Sequence, residues 1–264
     1  MCFTVFLTGS AYVAEKFKKV ERKLSSVVTD PFIFLSGGIA GAAGRLAALP
    51  FDHGGVKGSM NAVYRRAPQF GLLMWFYVPT ASTTLPQVYD PVQKMTTTFL
   101  IGAFSGFFMR AICNPVNRTR DEAIRLNTNF LSAANYLRKK TVLQFYYTTP
   151  NLFANALYFG ALMTCFEGLR RFMERNGVPQ ETNLQVVMTN TVAAAGAATV
   201  ASCVTYPYSA HRYLQTVIHD SAICRGLGAT LLKEIPMMAV SFGVFSVLTP
   251  IVSPKHSKYA GFGY

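Results

Sequence analysis

Charged side chains are scarce in this sequence. They make up 14% of its 264 residues, against roughly a quarter in soluble domains, while hydrophobic residues reach 51%. That balance argues against an ordinary soluble globule and for a membrane protein. Acids are the scarcer sign, with 12 Asp and Glu against 25 Lys and Arg, for a net charge of +13. Cysteine is sparse as well. Cys2, Cys113, Cys165, Cys203 and Cys224 are scattered, with no CxxC pair and no histidine at metal-ligand spacing, which speaks against a disulfide framework and a zinc site. His53, His211, His219 and His256 are dispersed, and no Gly-rich loop precedes a basic helix start. No catalytic constellation is present, so the expectation is a non-enzyme without cofactor or metal. The N-terminus has a short apolar run (residues 2–7) and then mixed charge (15–23). It lacks a small-residue cleavage site and is too acidic for a transit peptide, so it reads as retained.

What the sequence does have is long uncharged runs. Residues 67–89, 141–166, 182–210 and 235–254 carry no charge, and residues 31–49 and 95–114 carry one arginine each. A helix needs about 20 residues to cross a hydrocarbon core of about 30 Å, so six spans are expected. The runs are too long and too rich in Phe, Leu and Met for barrel strands of about ten residues. The basic residues lie mostly between the runs, where anionic lipid rather than nucleic acid is the natural counterpart. Lys and Arg divide almost equally between the two sets of loops, so charge does not orient the bundle.

The runs repeat. Glycines stand 13 and 9 residues before Pro50 (Gly37, Gly41) and at the same offsets before Pro115 (Gly102, Gly106); before Pro207 the places hold Ala194 and Ala198. Small residues four apart let a neighbouring backbone approach closely, and three copies in register with a helix-ending proline exceed a chance GxxxG. A second half repeats too. Tyr64-Arg65-Arg66-Ala67-Pro68 leads into Gly71, Met74 and Tyr77, as Lys233-Glu234-Ile235-Pro236 leads into Ala239, Phe242 and Phe245. The middle copy keeps Tyr158-Phe159-Gly160 but shifts its proline, Pro150, by one turn.

The segment FLSGGIAGAAGRLAALPFD (residues 34–52), with RGLGATLLKEIPMMAVSFGVF (225–245), resembles the mitochondrial carrier family over roughly residues 30–253. The resemblance implies an all-α membrane fold of six transmembrane helices in three pseudo-threefold two-helix repeats, in the mitochondrial inner membrane. It divides the chain into an N-terminal extension (1–30), repeats at 31–90, 91–177 and 178–253, and a tail (254–264).

In that family each odd helix carries Pro-x-[Asp/Glu]-x-x-[Lys/Arg], whose acids and bases pair between repeats to close the matrix side. Here the three copies read Pro50, Asp52 and Gly55; Pro115, Asn117 and Arg120; Pro207, Ser209 and Arg212. Only Asp52 with Arg120 survives as an expected ion pair. The opposite gate, [Phe/Tyr]-[Asp/Glu]-x-x-[Lys/Arg], is spelled only by Phe166, Glu167 and Arg170, about one turn beyond the place that Phe159-Gly160 indicates. A transporter alternates between two closed gates, each held by contacts made only in that state. With both rings largely dismantled, loss of transport is expected, leaving the fold as an accessory subunit of a larger, respiratory-type inner-membrane complex. Asn117 and Ser209 can still hydrogen-bond Arg120 and Arg212, which keeps an active carrier of a small anion or nucleotide as the alternative.

Arg45 and Arg110 each lie five residues before their repeat's proline, inside apolar runs. Intramembrane arginine is costly and faces a wet cavity or a partner. With Asn151 and Asn155, four apart on one helix face, they are candidate anion ligands; a vestigial interior, or Arg110 snorkelling to the headgroups, is the bland reading. The resemblance also implies cardiolipin at the start of each even helix, with Tyr64, Arg65, Arg225 and Gly226 as candidates, against ordinary juxtamembrane basic residues. Only 17 residues separate Pro50 from Pro68, too few for the surface helix that the family places there. The termini, 1–30 and the aromatic 254–264, are candidate docking segments for partner subunits, or plain tails.

Overall fold

The computed structural model describes residues 31–51, 55–140, 149–178, 182–214 and 221–252. Among them are seven α-helices and no strand: α1 (Pro31–Ala47), α2 (Gly55–Thr84), α3 (Pro91–Arg125), α4 (Phe130–Lys140), α5 (Thr149–Arg175), α6 (Asn183–Leu214) and α7 (Ser221–Val252). Their ends follow from local chemistry. Asp90 caps α3, its Oδ1 accepting from the Val92 amide at 3.2 Å, with Pro91 at the first helical position. Thr182 and Gln185 make a reciprocal capping box at the start of α6 (3.1 and 3.3 Å). Asn127 (φ 50°) and Gly177 (φ 78°) adopt left-handed conformations that end α3 and α5, and the Thr128 amide reaches back to the Ala123 carbonyl at 3.0 Å.

Six of the helices pack in a cycle. α1 lies against α2 and α7, α2 against α3, α3 against α5, α5 against α6 and α6 against α7, while the short α4 rests on α3. Four helices contain stretches long and apolar enough to cross a membrane: Pro91–Arg120, Leu152–Arg175, Asn183–Tyr206 and Gly226–Ile251. Among the described residues, the other two of the six expected spans fall short of that measure. α1 is apolar but has only 17 residues, and the uncharged half of α2 is diluted by Pro68, Gln69, Pro79, Thr80, Ser82, Thr83 and Thr84. The polar residues inside the apolar helices are largely satisfied locally. Thr98, Thr164, Thr191, Thr205 and Thr249 each donate to the carbonyl four residues back, at 2.7 to 2.8 Å.

The outer surface confirms the membrane class. Along α3, Leu100, Phe104, Phe108, Ile112 and Val116 recur every fourth residue and are all exposed; Leu184, Met188, Val192, Val200 and Val204 make the same stripe on α6, and Leu35 and Ile39 on α1. Such patches are a liability in water and an ordinary face toward lipid. One further expectation changes. α3 and α6 continue past positions 115 and 207, so these prolines interrupt rather than end their helices. Of the uncharged run 141–166, residues 149–166 lie in α5 and the rest falls outside the described residues.

Candidate functional site

The repeat register fixes which residues face one another. A side chain at Gly37 would meet Gly71 and Met74, and one at Gly41 would meet Phe70 and the Arg66 carbonyl. In the second repeat, Gly102 faces Met163 and the Phe159 carbonyl, and Gly106 faces Phe159 and the Asn155 carbonyl. The packing therefore equates Phe70 with Phe159, Met74 with Met163, and Arg66 with Asn155. The shared proline offset equates Arg66 with Glu234.

Those three positions open onto a cavity of about 270 Å³, lined also by Arg110, Tyr158, Tyr206 and Thr230. A smaller chamber of about 110 Å³ adjoins it, lined by Arg45, Arg65, Gln69, Lys233 and Met237. Arg66 and Glu234 line both, so they form the wall between them. Tyr158 Oη donates to Glu234 Oε2 at 3.2 Å, and Arg66 Nη2 stands 3.9 Å from the same oxygen. One carboxylate thus bridges α2, α5 and α7. Among the described residues, the lining of the two chambers includes five cations (Arg45, Arg65, Arg66, Arg110, Lys233) and one acid. Arg45 is 7% exposed, and Gln69 is 5% exposed with its Nε2 unpartnered among the described residues.

Past the vestibule the same three helices close. Phe70, Phe159 and Met238, then Met74, Met163 and Phe242, then Tyr77, Phe166 and Phe245 are all buried in one apolar cluster. Phe242 joins the helices, its ring 5.7 Å from that of Phe70 and 4.6 Å from that of Phe166. In lipid such layers hold the helices together by close van der Waals packing.

This register corrects the sequence reading of Phe166. Phe159 matches Phe70, not Phe242, so Phe166 falls level with Tyr77 and Phe245 and not one turn beyond. Glu167 then stands where the other copies have Val78 and Ser246, and Arg170 where they have Ala81 and Thr249. Glu167 accepts from Arg171 at 2.7 and 2.9 Å, and Glu174 from Arg170 at 2.7 Å, all within α5. Ser246 takes a hydrogen bond from Asn190 of α6 at 2.9 Å.

The remaining sequence candidates are spread out. Asp52 lies outside the described residues, as do the side chains of Asn151, Pro207, Ser209, Arg212 and Arg225. Pro50 sits in the short helical turn Leu49–Phe51, and Pro115 inside α3, its carbonyl accepting from Thr119 Oγ1 at 2.8 Å. Asn117 is buried with Nδ2 unpartnered among the described residues, and Arg120 is half-buried. Of the lipid candidates, Tyr64 is exposed, Arg65 lines the smaller chamber, and Gly226 packs against the Tyr206 hydroxyl. Sequence reasoning missed Arg66, Gln69, Tyr158, Tyr206, Lys233 and Glu234 as site residues. The signal for two of them was present, since Arg66 and Glu234 each stand two residues before a helix-internal proline. The chain matches no protein-family model and no curated protein.

Proposed function

We propose that this chain is a carrier-like protein of the mitochondrial inner membrane that no longer transports, and that it serves as an accessory subunit of a larger inner-membrane complex, with cardiolipin among its lipid partners. The six-helix cycle and its three-copy register of small residues support the carrier architecture. One observation carries the loss of transport: at the closed end, the charged gate positions hold Val78, Glu167 and Ser246, and Ala81, Arg170 and Thr249, above layers of buried apolar side chains. The single acid is paired with Arg171 of its own helix, so no ring of acids joins the repeats there. A gate held by core packing rather than by exchangeable ion pairs favours one state, and a bundle with one favoured state is a scaffold.

Native electrophoresis of gently solubilised membranes tests this. Co-migration with a large assembly is expected. Migration only as a free 29.0 kDa species would overturn the subunit reading.

A second reading, an active carrier of a small anion, is favoured by the five cations of the vestibule. Saturable anion exchange in liposomes that is lost in Arg45→Ala would establish it over the scaffold.

A further inference from the structure

The short helix α4 stands outside the six-helix cycle. The apolar stretch of α3 ends at Arg120, and the helix runs on to Arg125 before the chain turns into α4, which rests on α3. Ala133 and Leu137, one turn apart on α4, are buried, at 0% and 6% exposed. The other side is open. Leu131 is 76% exposed, and Ser132 and Asn135 are exposed with it. Charge is one-sided as well. α4 reads FLSAANYLRKK, with the bases Arg138, Lys139 and Lys140 at its end and no acid. On the extension of α3, Glu122 is engaged by Arg125 at 3.7 Å.

We propose that the outward face of α4 docks an acidic segment of a partner subunit, with Leu131 as its apolar anchor. Charge complementarity selects the partner, because a basic helix with no acid of its own favours a negative surface and repels a positive one. Anionic lipid is negative too, but the packing disfavours it. A helix lying in the headgroup layer turns its apolar face to the acyl chains, and the apolar pair of α4, Ala133 and Leu137, is already buried within the protein. What remains outward is one large apolar side chain among polar ones, the pattern of an interface core with a polar rim. The basic end of α4 also complements its own dipole, which accounts for the position of the charges but not for the exposure of Leu131. The docking face rests on the subunit reading and adds to it the place and the sign of the contact.

Native electrophoresis of membranes carrying Leu131→Glu or Leu131→Lys, beside the unmodified protein, tests the docking face. Both variants remove the apolar anchor, so they differ from each other in charge. The glutamate should lower the co-migrating fraction about tenfold relative to the lysine, the scale of one close charge contact at an interface. Helix stability alone gives the reverse order, since position 131 lies in the first turn of α4, where the dipole favours an acid over a base. A loss greater for glutamate therefore does not come from melting of α4. A photo-cross-linking amino acid placed at position 131 identifies the occupant, and attachment to an acid-rich segment of a co-migrating subunit is expected. Equal co-migration of the two variants, a greater loss with lysine, or cross-links only to lipid or to a second copy of this chain would overturn the docking face and leave the subunit reading intact. Failure of the unmodified protein to co-migrate would overturn both.

Discussion

The Arg66 guanidinium and the Glu234 carboxylate stand 3.9 Å apart, each two residues before the proline that interrupts its helix, Pro68 in α2 and Pro236 in α7. Equivalent positions of two repeats thus carry opposite charges and meet. Their side chains are 20% and 23% exposed, so solvent screens the pair only in part. The separation is long for a direct hydrogen bond, which limits the strength of the contact. A double-mutant cycle with Arg66→Met and Glu234→Gln, followed by unfolding in detergent, should give a coupling of about 1 kcal/mol. A coupling near zero would mean that the two charges are neighbours without being partners.

Glycine positions make a sharper test of the helix cycle. A side chain at Gly106 would overlap Phe159 of α5, whereas nothing lies within 4 Å of the Cβ direction at Gly228. Gly106→Leu should therefore force α3 from α5 and destabilise the protein by about 3 kcal/mol, at the upper end for overpacking. Gly228→Ala should be neutral, or stabilise α7 by up to about 1 kcal/mol through helix propensity. Equal melting shifts for the two variants would contradict the packing.

How much of this was legible in the sequence differs from residue to residue. Gly37, Gly41, Gly102 and Gly106 announced the repeat because a close backbone approach admits almost nothing else, so the physics leaves a mark in composition. The middle register was misread because a Phe-Gly pair occurs at two heights, Phe70-Gly71 and Phe242-Gly243, about one turn apart after their prolines. The facing glycines, Gly102 and Gly106, show which of them Phe159-Gly160 matches. Arg66 and Glu234 escaped because opposite charges at equivalent positions do not look like a repeat, although they are what a contact between repeats requires. Arg45 was legible since an arginine in an apolar run has few places to go.

Phe242 is the keystone of the closed end, touching the rings of Phe70 and Phe166 and fully buried. Phe242→Ala should cost about 3–5 kcal/mol, the usual range for a buried aromatic. Phe242→Leu keeps most of the volume and should cost less. Thermal unfolding in detergent of both variants checks the order, and a smaller loss for alanine than for leucine would mean that this layer is not packed.

The lipid-facing stripe can be tested by placing the same charge at two exposed positions. Phe104 is 62% exposed in the middle of the α3 stripe, and Tyr89 is 93% exposed between α2 and α3. In water, lysine would be harmless at either. In a bilayer, lysine near the centre of a spanning helix costs about 2.5–3.5 kcal/mol on insertion scales, reduced where the side chain can snorkel, while one in a connection costs little. Phe104→Lys should therefore deplete the protein from the membrane fraction several-fold, and Tyr89→Lys should leave it unchanged. Equal recovery of both variants would place the exposed stripe from Leu100 to Val116 outside the hydrocarbon core.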